Sequence, residues 1–226
     1  MISFLQVTKE YPNGIKALDD INLEVERGEF LFVVAPSGAG KSPLLKMLIR
    51  EELPSQGRIV IDEEDITSIS DKDLPALRRK IGTIFQDYKL LPRKTIFDNV
   101  AFAMEVNGID PDETKREVKK LLKHIGLDHV ADLYPGQVSG GEAQRAAIAR
   151  AAILKPDIIL ADEPTGNLDP GTSWGIMELL SDLNENGTTV IMATHNVDFI
   201  KALPNRVIEI EQGKVVKDTA KKAHHN

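Results

Sequence analysis

A glycine-rich segment ending in lysine and serine has the composition of a phosphate-binding loop. Residues 35–42 read Ala-Pro-Ser-Gly-Ala-Gly-Lys-Ser and match the pattern G-x-x-x-x-G-K-[ST], except that Ala35 replaces the first glycine. An apolar strand precedes the loop and an apolar helix follows it, so backbone N–H groups and the positive helix end can face an anion. Lys41 would supply a charge for the β- and γ-phosphates, and Ser42 a hydroxyl for Mg²⁺. The alternative is an ordinary turn between a strand and a helix.

Pro43 is a departure at the residue that usually offers a backbone N–H to the α-phosphate, because proline has no such donor. A hydrogen bond to a charged group contributes about 1.5–3 kcal/mol, so its loss would weaken nucleotide binding roughly tenfold or more. Proline also disfavours helical angles at Ser42, although a first-turn proline is sterically tolerated. We expect binding that survives but is weakened.

Two neighbouring carboxylates end an apolar strand. Residues 158–163 read IILADE, and like charges at a buried strand end repel each other and are poorly solvated. A divalent cation would relieve both effects. Asp162 would hold Mg²⁺ through water, and Glu163 would orient and deprotonate the attacking water. Without the upstream loop, a solvated acidic turn would be the simpler interpretation.

Two further polar residues follow predicted strands. His195 comes after TTVIMAT and could donate to the γ-phosphate, whereas Gln86 ends the strand IGTIF and could reach Mg²⁺ or the water. A lone histidine at a strand end is usually structural, and Gln86 could simply be a polar cap. Both functional assignments therefore depend on the rest of the set.

The elements that must position these residues follow an order of strands, helices and strands. Period-2 alternation and apolar runs predict strands at 2–8, 21–26, 29–35, 58–62, 81–86, 157–161, 188–193, 206–211 and 214–217. Helical spacing predicts helices at 44–49, 72–80, 113–125, 140–154 and 174–184, within a helical stretch from 95 to 153. This order predicts an α/β fold of the doubly wound class with a helical insertion at roughly 88–155.

Composition excludes several classes of protein. The chain has 226 residues, enough for one globular domain with two lobes, and no cysteine for disulfides or thiolate zinc sites. Its net charge of -7 argues against a nucleic-acid partner. No apolar stretch reaches the roughly 18–20 residues that span a bilayer, so we expect any membrane role to come through a partner.

A second helix start identifies the family. Residues 138–145 read Val-Ser-Gly-Gly-Glu-Ala-Gln-Arg, which resembles the ABC signature, usually Leu-Ser-Gly-Gly-Gln. Physically it is another helix N-terminus with exposed N–H groups and a serine. One chain cannot easily bring two such ends to one phosphate, but two chains arranged head to tail can. A helix capped by serine is the alternative if the segment is taken alone.

The resemblance to ABC ATPases covers essentially the whole chain and implies a P-loop NTPase fold. It implies a RecA-like parallel-sheet core at 1–87 and 156–226, an antiparallel β subdomain, and a helical subdomain at 88–155 carrying the signature. It implies ATP and Mg²⁺ as cofactors, with Ser42, Gln86 and Asp162 at the metal and Glu163, His195 and Gln86 as catalytic residues. The residues that it assigns to the nucleotide are Tyr11, which would stack on adenine, Ser37, Gly38, Ala39, Gly40, Lys41, Ser42, Pro43, Ser139, Gly140, Gly141, Glu142 and Asp169.

Within the family, the chain is most similar to the cell-division branch, in segments such as 85–92 and 161–170. That similarity implies an ATP-dependent homodimer on the cytoplasmic face of the membrane, an integral membrane partner, and control of cell-wall hydrolases. We expect the partner's helix to dock in a groove lined by Tyr88, Leu90, Leu91 and Phe97; the alternative is that these residues belong to a buried core. The alternatives are the ATPase of a lipoprotein-release or macrolide-type exporter, and a nucleotide-gated binding module with little turnover.

Overall fold

The structure is a computed structural model that describes residues 1–36 and 41–220. Its strands are β1 Ile2–Glu10, β2 Lys16–Val25, β3 Phe30–Val34, β4 Gln56–Ile61, β5 Glu64–Asp65, β6 Ile81–Ile84, β7 Ile158–Asp162, β8 Thr189–Ala193, β9 Arg206–Glu211 and β10 Lys214–Asp218. Its helices are α1 Lys41–Leu48, α2 Leu74–Arg79, α3 Ile96–Glu105, α4 Pro111–His124, α5 Gly140–Ala152, α6 Pro170–Glu185 and α7 Val197–Ala202. Two 3-10 turns lie at Asp128–Val130 and Pro135–Gln137.

The central sheet has the strand order β10-β9-β3-β8-β7-β6 in the described part of the chain. Strands β9, β3, β8, β7 and β6 are parallel, and β10 adds an antiparallel edge. Strands β3, β7 and β8 are almost continuously apolar and buried, as parallel strands covered on both faces require. Their carboxyl ends consequently open at one common edge of the sheet.

A second, antiparallel sheet has the order β2-β1-β4-β5. Alternating side chains of β1 and β2 are buried, which explains their period-2 pattern. Their apolar face packs with helix α1 and one face of the central sheet into a single core that includes Ile2, Phe4, Leu44 and Leu48. Burying such a side chain stabilises the fold by about 1.5–3 kcal/mol, so this core fixes helix α1 against both sheets.

Helices α3, α4 and α5 have a core of their own. It includes Val100, Val118, Leu122 and Ala146. The sequence limits of 88–155 for a helical subdomain remain a prediction, although α3, α4 and α5 all lie inside them. Along residues 1–36 and 41–220, no helix combines the length and apolar character needed to cross a bilayer.

Some element boundaries differ from the sequence prediction for local reasons. Helix α4 begins at Pro111 rather than at 113, because Asp110 accepts hydrogen bonds from two backbone N–H groups and proline suits the first helical position. Strand β5 and helix α7 were not predicted, since both are too short to show a period.

We expected Pro43 to disfavour helical angles at Ser42, but both residues lie in α1. A first-turn N–H has no acceptor within the helix, so proline is tolerated there.

Candidate active site

Polar side chains follow four neighbouring strands where those strands end at the same edge of the sheet. Lys41 and Ser42 follow β3, and Asp162 and Glu163 lie at the end of β7. His195 follows β8, and Gln86 follows β6. The strand order places β3, β8, β7 and β6 side by side, so residues far apart in sequence converge on one site.

Glu163 is the centre of this site because two proton donors meet on one of its oxygens. Lys41 Nζ and His195 Nδ1 both lie 2.9 Å from Glu163 Oε1. Lys41 also donates to the carbonyl of Ala35 at 2.9 Å. The side chains of Lys41 and Glu163 are 11% and 13% exposed, whereas that of His195 is 73% exposed. A nearly buried ion pair therefore lies beneath an imidazole that remains accessible from solvent.

The backbone at Glu163 is held in an unusual conformation. Its φ is 48°, in the left-handed region that costs a residue with a side chain about 1–3 kcal/mol. Its N–H donates to the carbonyl of Ala193 at 2.9 Å, and its own carbonyl accepts from Gly166 N at 3.1 Å. These bonds turn the chain sharply as it leaves β7 and direct the carboxylate toward Lys41.

Ser42 and Asp162 form a second pair beside the first. Ser42 Oγ donates to Asp162 Oδ2 at 3.0 Å. Burial, together with the neighbouring charge of Glu163, raises the pKa of Asp162. Across the residues that the structure describes, no group of three or more His, Cys, Asp or Glu side chains could hold a metal ion.

A hydroxyl and a carboxylate suit Mg²⁺ nonetheless, because Mg²⁺ keeps several waters and takes its other ligands from phosphates. The donor chemistry of Ser42 and Asp162 therefore fits the predicted ion.

Gln86 does not contact this pair in the structure. Its Nε2 lies 3.5 Å from Asn167 Oδ1, and its carbonyl accepts from Asn167 Nδ2 at 3.3 Å. A Cβ atom on Gly166 would lie only 2.9 Å from that amide, so the absence of a side chain there gives Gln86 its room. The side chain of Gln86 thus lies on the loop that follows Glu163, and its roles at the metal and the water remain predictions.

The Tyr11 side chain is hydrogen-bonded to Glu52, a residue that follows helix α1. Its hydroxyl donates to Glu52 Oε2 at 3.0 Å, and Lys9 Nζ lies 5.2 Å from the centroid of the Tyr11 ring. Lys9 also forms an ion pair with Glu52 at 3.2 Å. These contacts fix the position of the ring, while its stacking on adenine remains a prediction. The predicted phosphate ligands Ser37, Gly38, Ala39 and Gly40 lie outside the described residues.

The signature residues lie at the start of helix α5. Ser139 is its N-cap, and its side-chain oxygen accepts from Glu142 N at 3.3 Å, while Glu142 Oε2 accepts from Ser139 N at 2.8 Å. This reciprocal capping satisfies donors that a helix start otherwise leaves unpaired. A Cβ on Gly141 would lie 2.5 Å from Thr172 Cγ2, so only glycine lets α5 approach α6 this closely. Gly140 is exposed beside the Tyr88 hydroxyl.

Asp169 caps helix α6. Its carboxylate accepts from the backbone N–H of Thr172 at 3.0 Å and from the Thr172 hydroxyl. The hydrogen bonds from Thr172 lower the pKa of Asp169. Its predicted contact with a nucleotide remains a prediction.

Sequence analysis missed two residues that support the site. Asn99 is fully buried and holds the segment after Gln86, because Leu91 N lies 2.7 Å from its Oδ1 and its Nδ2 donates to the carbonyl of Leu91 at 3.1 Å. His129 contacts Glu142 of the signature, with Nε2 3.1 Å from Oε1. A buried asparagine within an apolar helix is a detectable signal, but nothing in the sequence indicates the partner of His129.

Comparison with known proteins identifies the class. A family model described as ABC transporter matches residues 18–166. A solved ATP-binding cassette, dimeric and in a post-hydrolysis state bound to ADP and Pi, has a TM-score of 0.88 at 36% identity, over 96% of this chain and 97% of that one. The chain belongs to the ABC transporter family, and its fold is that of an ABC ATPase domain.

Two individual relatives show which ABC proteins the chain resembles in sequence. The cell division ATP-binding protein FtsE of Bacillus subtilis is 51% identical over 221 residues, which cover 98% of this chain and 97% of that protein. The methionine import ATP-binding protein MetN 1 of Bacillus thuringiensis is 42% identical over 222 residues, which cover 96% of this chain but 66% of that protein. The resemblance to ABC ATPases of cell division is thus confirmed at the level of sequence similarity.

Proposed function

We propose that the chain is an ATPase subunit that works as an ATP-dependent pair beneath a membrane protein of the cell-division machinery. The observation that carries the enzymatic part is the convergence of Lys41 and His195 on Glu163, next to Ser42 and Asp162. The lysine, the hydroxyl and the two carboxylates are the groups that phosphoryl transfer to water requires. They meet at the sheet edge where nucleotides bind in this class of fold.

The proposed reaction begins with a change in the partner of Lys41. When ATP binds, its phosphate oxygens replace the Glu163 carboxylate as the partner of the Lys41 ammonium. The released carboxylate then takes a proton from the water that attacks the γ-phosphorus, as the bond from that phosphorus to the β-phosphate oxygen breaks. ADP and phosphate leave, and Glu163 releases the proton to solvent, which restores its carboxylate. Ser42 and Asp162 would hold Mg²⁺, which offsets the charge on the phosphates.

A second copy of the chain completes the site. Ser139 and the N–H groups of α5 form an exposed helix start that can bind an anion, but they belong to the helical part of the chain. In a head-to-tail pair, the α5 start of each chain faces the γ-phosphate bound by the other, and two equivalent sites form. The dimeric cassette with ADP and Pi supports this arrangement by similarity.

The membrane partner would be an integral protein resembling FtsX, bound from the cytoplasmic side. A cavity of about 510 Å³ supports a docking site between α2 and β6 on one side and α3 and α5 on the other. Its lining includes Arg78, Phe85, Val106 and Arg150, and Val106 is 62% exposed. Of the four residues expected to line the groove, Leu90 and Phe97 pack against the core of the helical part, and none belongs to this cavity's lining.

The output would be mechanical. Closure of the ATP-bound pair would move the partner, whose extracellular part would control peptidoglycan hydrolases, and hydrolysis at Glu163 would release the pair. Similarity to FtsE supports this assignment over an importer, because the chain is 51% identical to FtsE of Bacillus subtilis and 42% identical to the methionine import subunit.

A turnover assay tests the enzymatic proposal. Purified protein should release phosphate from ATP in the presence of Mg²⁺, with and without the membrane partner, and Glu163→Gln should lower the rate by at least about a hundredfold, as the loss of a general base does. ATP binding should persist in that variant. If the wild-type protein binds ATP but turns over no faster than Glu163→Gln, the second candidate is favoured, a nucleotide-gated binding module in which Pro43 limits activity.

A further inference from the structure

The carboxylate of Glu142 lies between Ser139 and His129 and contacts both. Its Oε2 accepts from the Ser139 backbone N–H at 2.8 Å and from the Ser139 hydroxyl at 2.6 Å. Its Oε1 lies 3.1 Å from His129 Nε2. An ionised carboxylate can only accept, so Nε2 of His129 carries the proton of that hydrogen bond.

His129 is held in position by its neighbours in the chain. It lies in the 3-10 turn Asp128–Val130, and both Leu127 and Val130 are buried in the core of the helical part. The imidazole itself remains 62% exposed, whereas the Glu142 side chain is 18% exposed. The turn therefore presents the ring to the start of α5 without burying it.

Glu142 brings a negative charge to a helix start that should bind an anion. Hydrogen bonds from the Ser139 hydroxyl and amide lower the pKa of Glu142, so this carboxylate is ionised at neutral pH. The usual ABC signature has a neutral glutamine at this position. In this chain, the carboxylate competes with a phosphate for the Ser139 hydroxyl and repels the phosphate's charge.

We propose that His129 is a positioning residue: by donating to Glu142 it offsets the carboxylate's charge and keeps the Ser139 end of α5 able to receive the γ-phosphate bound by the partner copy. The inference rests on the proposed function, because it concerns the contact between the α5 start of one chain and the nucleotide of the other. It adds a residue that lies outside the signature itself.

A double-mutant cycle tests this role. Four proteins are compared in the Glu163→Gln background, in which slow hydrolysis should let ATP-bound pairs accumulate: the parent, His129→Ala, Glu142→Gln, and the two combined. Glutamine keeps the capping hydrogen bonds of α5 but removes the charge. Analytical ultracentrifugation measures the dimer fraction as ATP is added, and thermal unfolding verifies that each variant folds.

His129→Ala should raise the ATP concentration for half-maximal dimer by about two- to fivefold, at the low end of what one hydrogen bond contributes. In the Glu142→Gln background the same change should have no effect. His129→Lys should restore the parent's titration, because its ammonium group can donate to Glu142 without an imidazole. His124→Ala, at an exposed histidine of α4, is the matched control and should leave the titration unchanged.

The two proposals fail in distinguishable ways. If the Glu163→Gln parent stays monomeric at saturating ATP, the proposed paired function is wrong and the inference falls with it. If the parent dimerises but His129→Ala titrates like the parent, or shifts the titration equally after Glu142→Gln, the role of His129 is overturned. A failure of His129→Lys to restore the parent's behaviour also overturns it, because any hydrogen-bond donor that reaches Glu142 from this position should suffice.

Discussion

Lys41 Nζ lies 2.9 Å from Glu163 Oε1, so the cation expected to bind phosphate rests on the carboxylate expected to accept a proton from water. Both side chains are nearly buried, so each charge stabilises the other. Under the proposed function, nucleotide binding would exchange one partner of Lys41 for another. The same exchange would free Glu163 for catalysis and so link activation of the base to occupancy of the site.

This pairing predicts a coupled loss of stability in the nucleotide-free protein. Lys41→Met should lower the free energy of unfolding by about 3 kcal/mol, the lower end of the range for breaking a buried ion pair, because Glu163 loses its cation but keeps its contact with His195. Combining it with Glu163→Gln should recover most of that loss. Urea unfolding of the two single variants and the double variant measures the coupling.

Lys89→Met is the matched control for that cycle, since Lys89 pairs with Asp87 in an exposed position and its loss should cost no more than about 1 kcal/mol. A Lys41→Met protein as stable as wild type would show that the pair contributes nothing to the resting structure.

Replacing Pro43 should increase the affinity for ATP. Pro43→Thr restores a backbone N–H in the first turn of α1, where an α-phosphate can accept from it. ATP affinity should rise roughly tenfold, the effect of one hydrogen bond to a charged group. Calorimetric titration of both proteins with ATP measures the difference, and equal affinities would show that this N–H is not used.

The contribution of Glu52 to the stability of the fold should depend on pH. Burial acts to raise its pKa, but hydrogen bonds from Tyr11 and Lys9 prevail and hold the pKa below its ordinary value of 4.5. A carboxylate with a lowered pKa stabilises the fold above its unfolded pKa and loses that contribution as pH falls through its folded pKa. Glu52→Gln should therefore reduce the free energy of unfolding by about 1 kcal/mol at pH 7 and by progressively less below pH 4.5.

Urea unfolding across this pH range compares Glu52→Gln with wild type and with Tyr11→Phe, which removes only the hydroxyl donor. A difference between Glu52→Gln and wild type that stays constant down to low pH would contradict the assignment of the shift to Glu52.

A substitution at Val106 tests where the membrane partner docks. Val106→Glu adds a charge to the exposed apolar rim of the cavity between the core and the helical part, and it should abolish co-purification with the partner while leaving ATP binding intact. Val216→Glu is the matched control, because Val216 is 54% exposed on strand β10 at the opposite edge of the central sheet from β6. Equal recovery of the partner with both variants would exclude this cavity as the docking site.

The sequence predicted which strand ends bring polar residues together, but it did not predict the contacts between those residues. Glu163 and His195 were predictable because each follows an apolar strand, and parallel strands bring their carboxyl ends to one edge. The pairing of Lys41 with Glu163 was not, since a phosphate motif indicates only the occupied state. His129 could not be found either: its contact with Glu142 joins a 3-10 turn to a helix start, and neither has a periodic pattern. Helix α7, with six residues, is likewise too short for periodicity to detect.

The most direct test of the central claim mixes two inactive proteins. Lys41→Ala damages the phosphate site of its own chain, and Ser139→Ala damages the helix start that serves the other chain. In a head-to-tail pair formed from one of each, one site carries both defects and the other carries neither. Phosphate release from an equal mixture should recover to roughly a quarter of the wild-type rate, because half of the pairs are mixed and one of their two sites is intact. A mixture no more active than the two variants measured separately would contradict a site built from two chains.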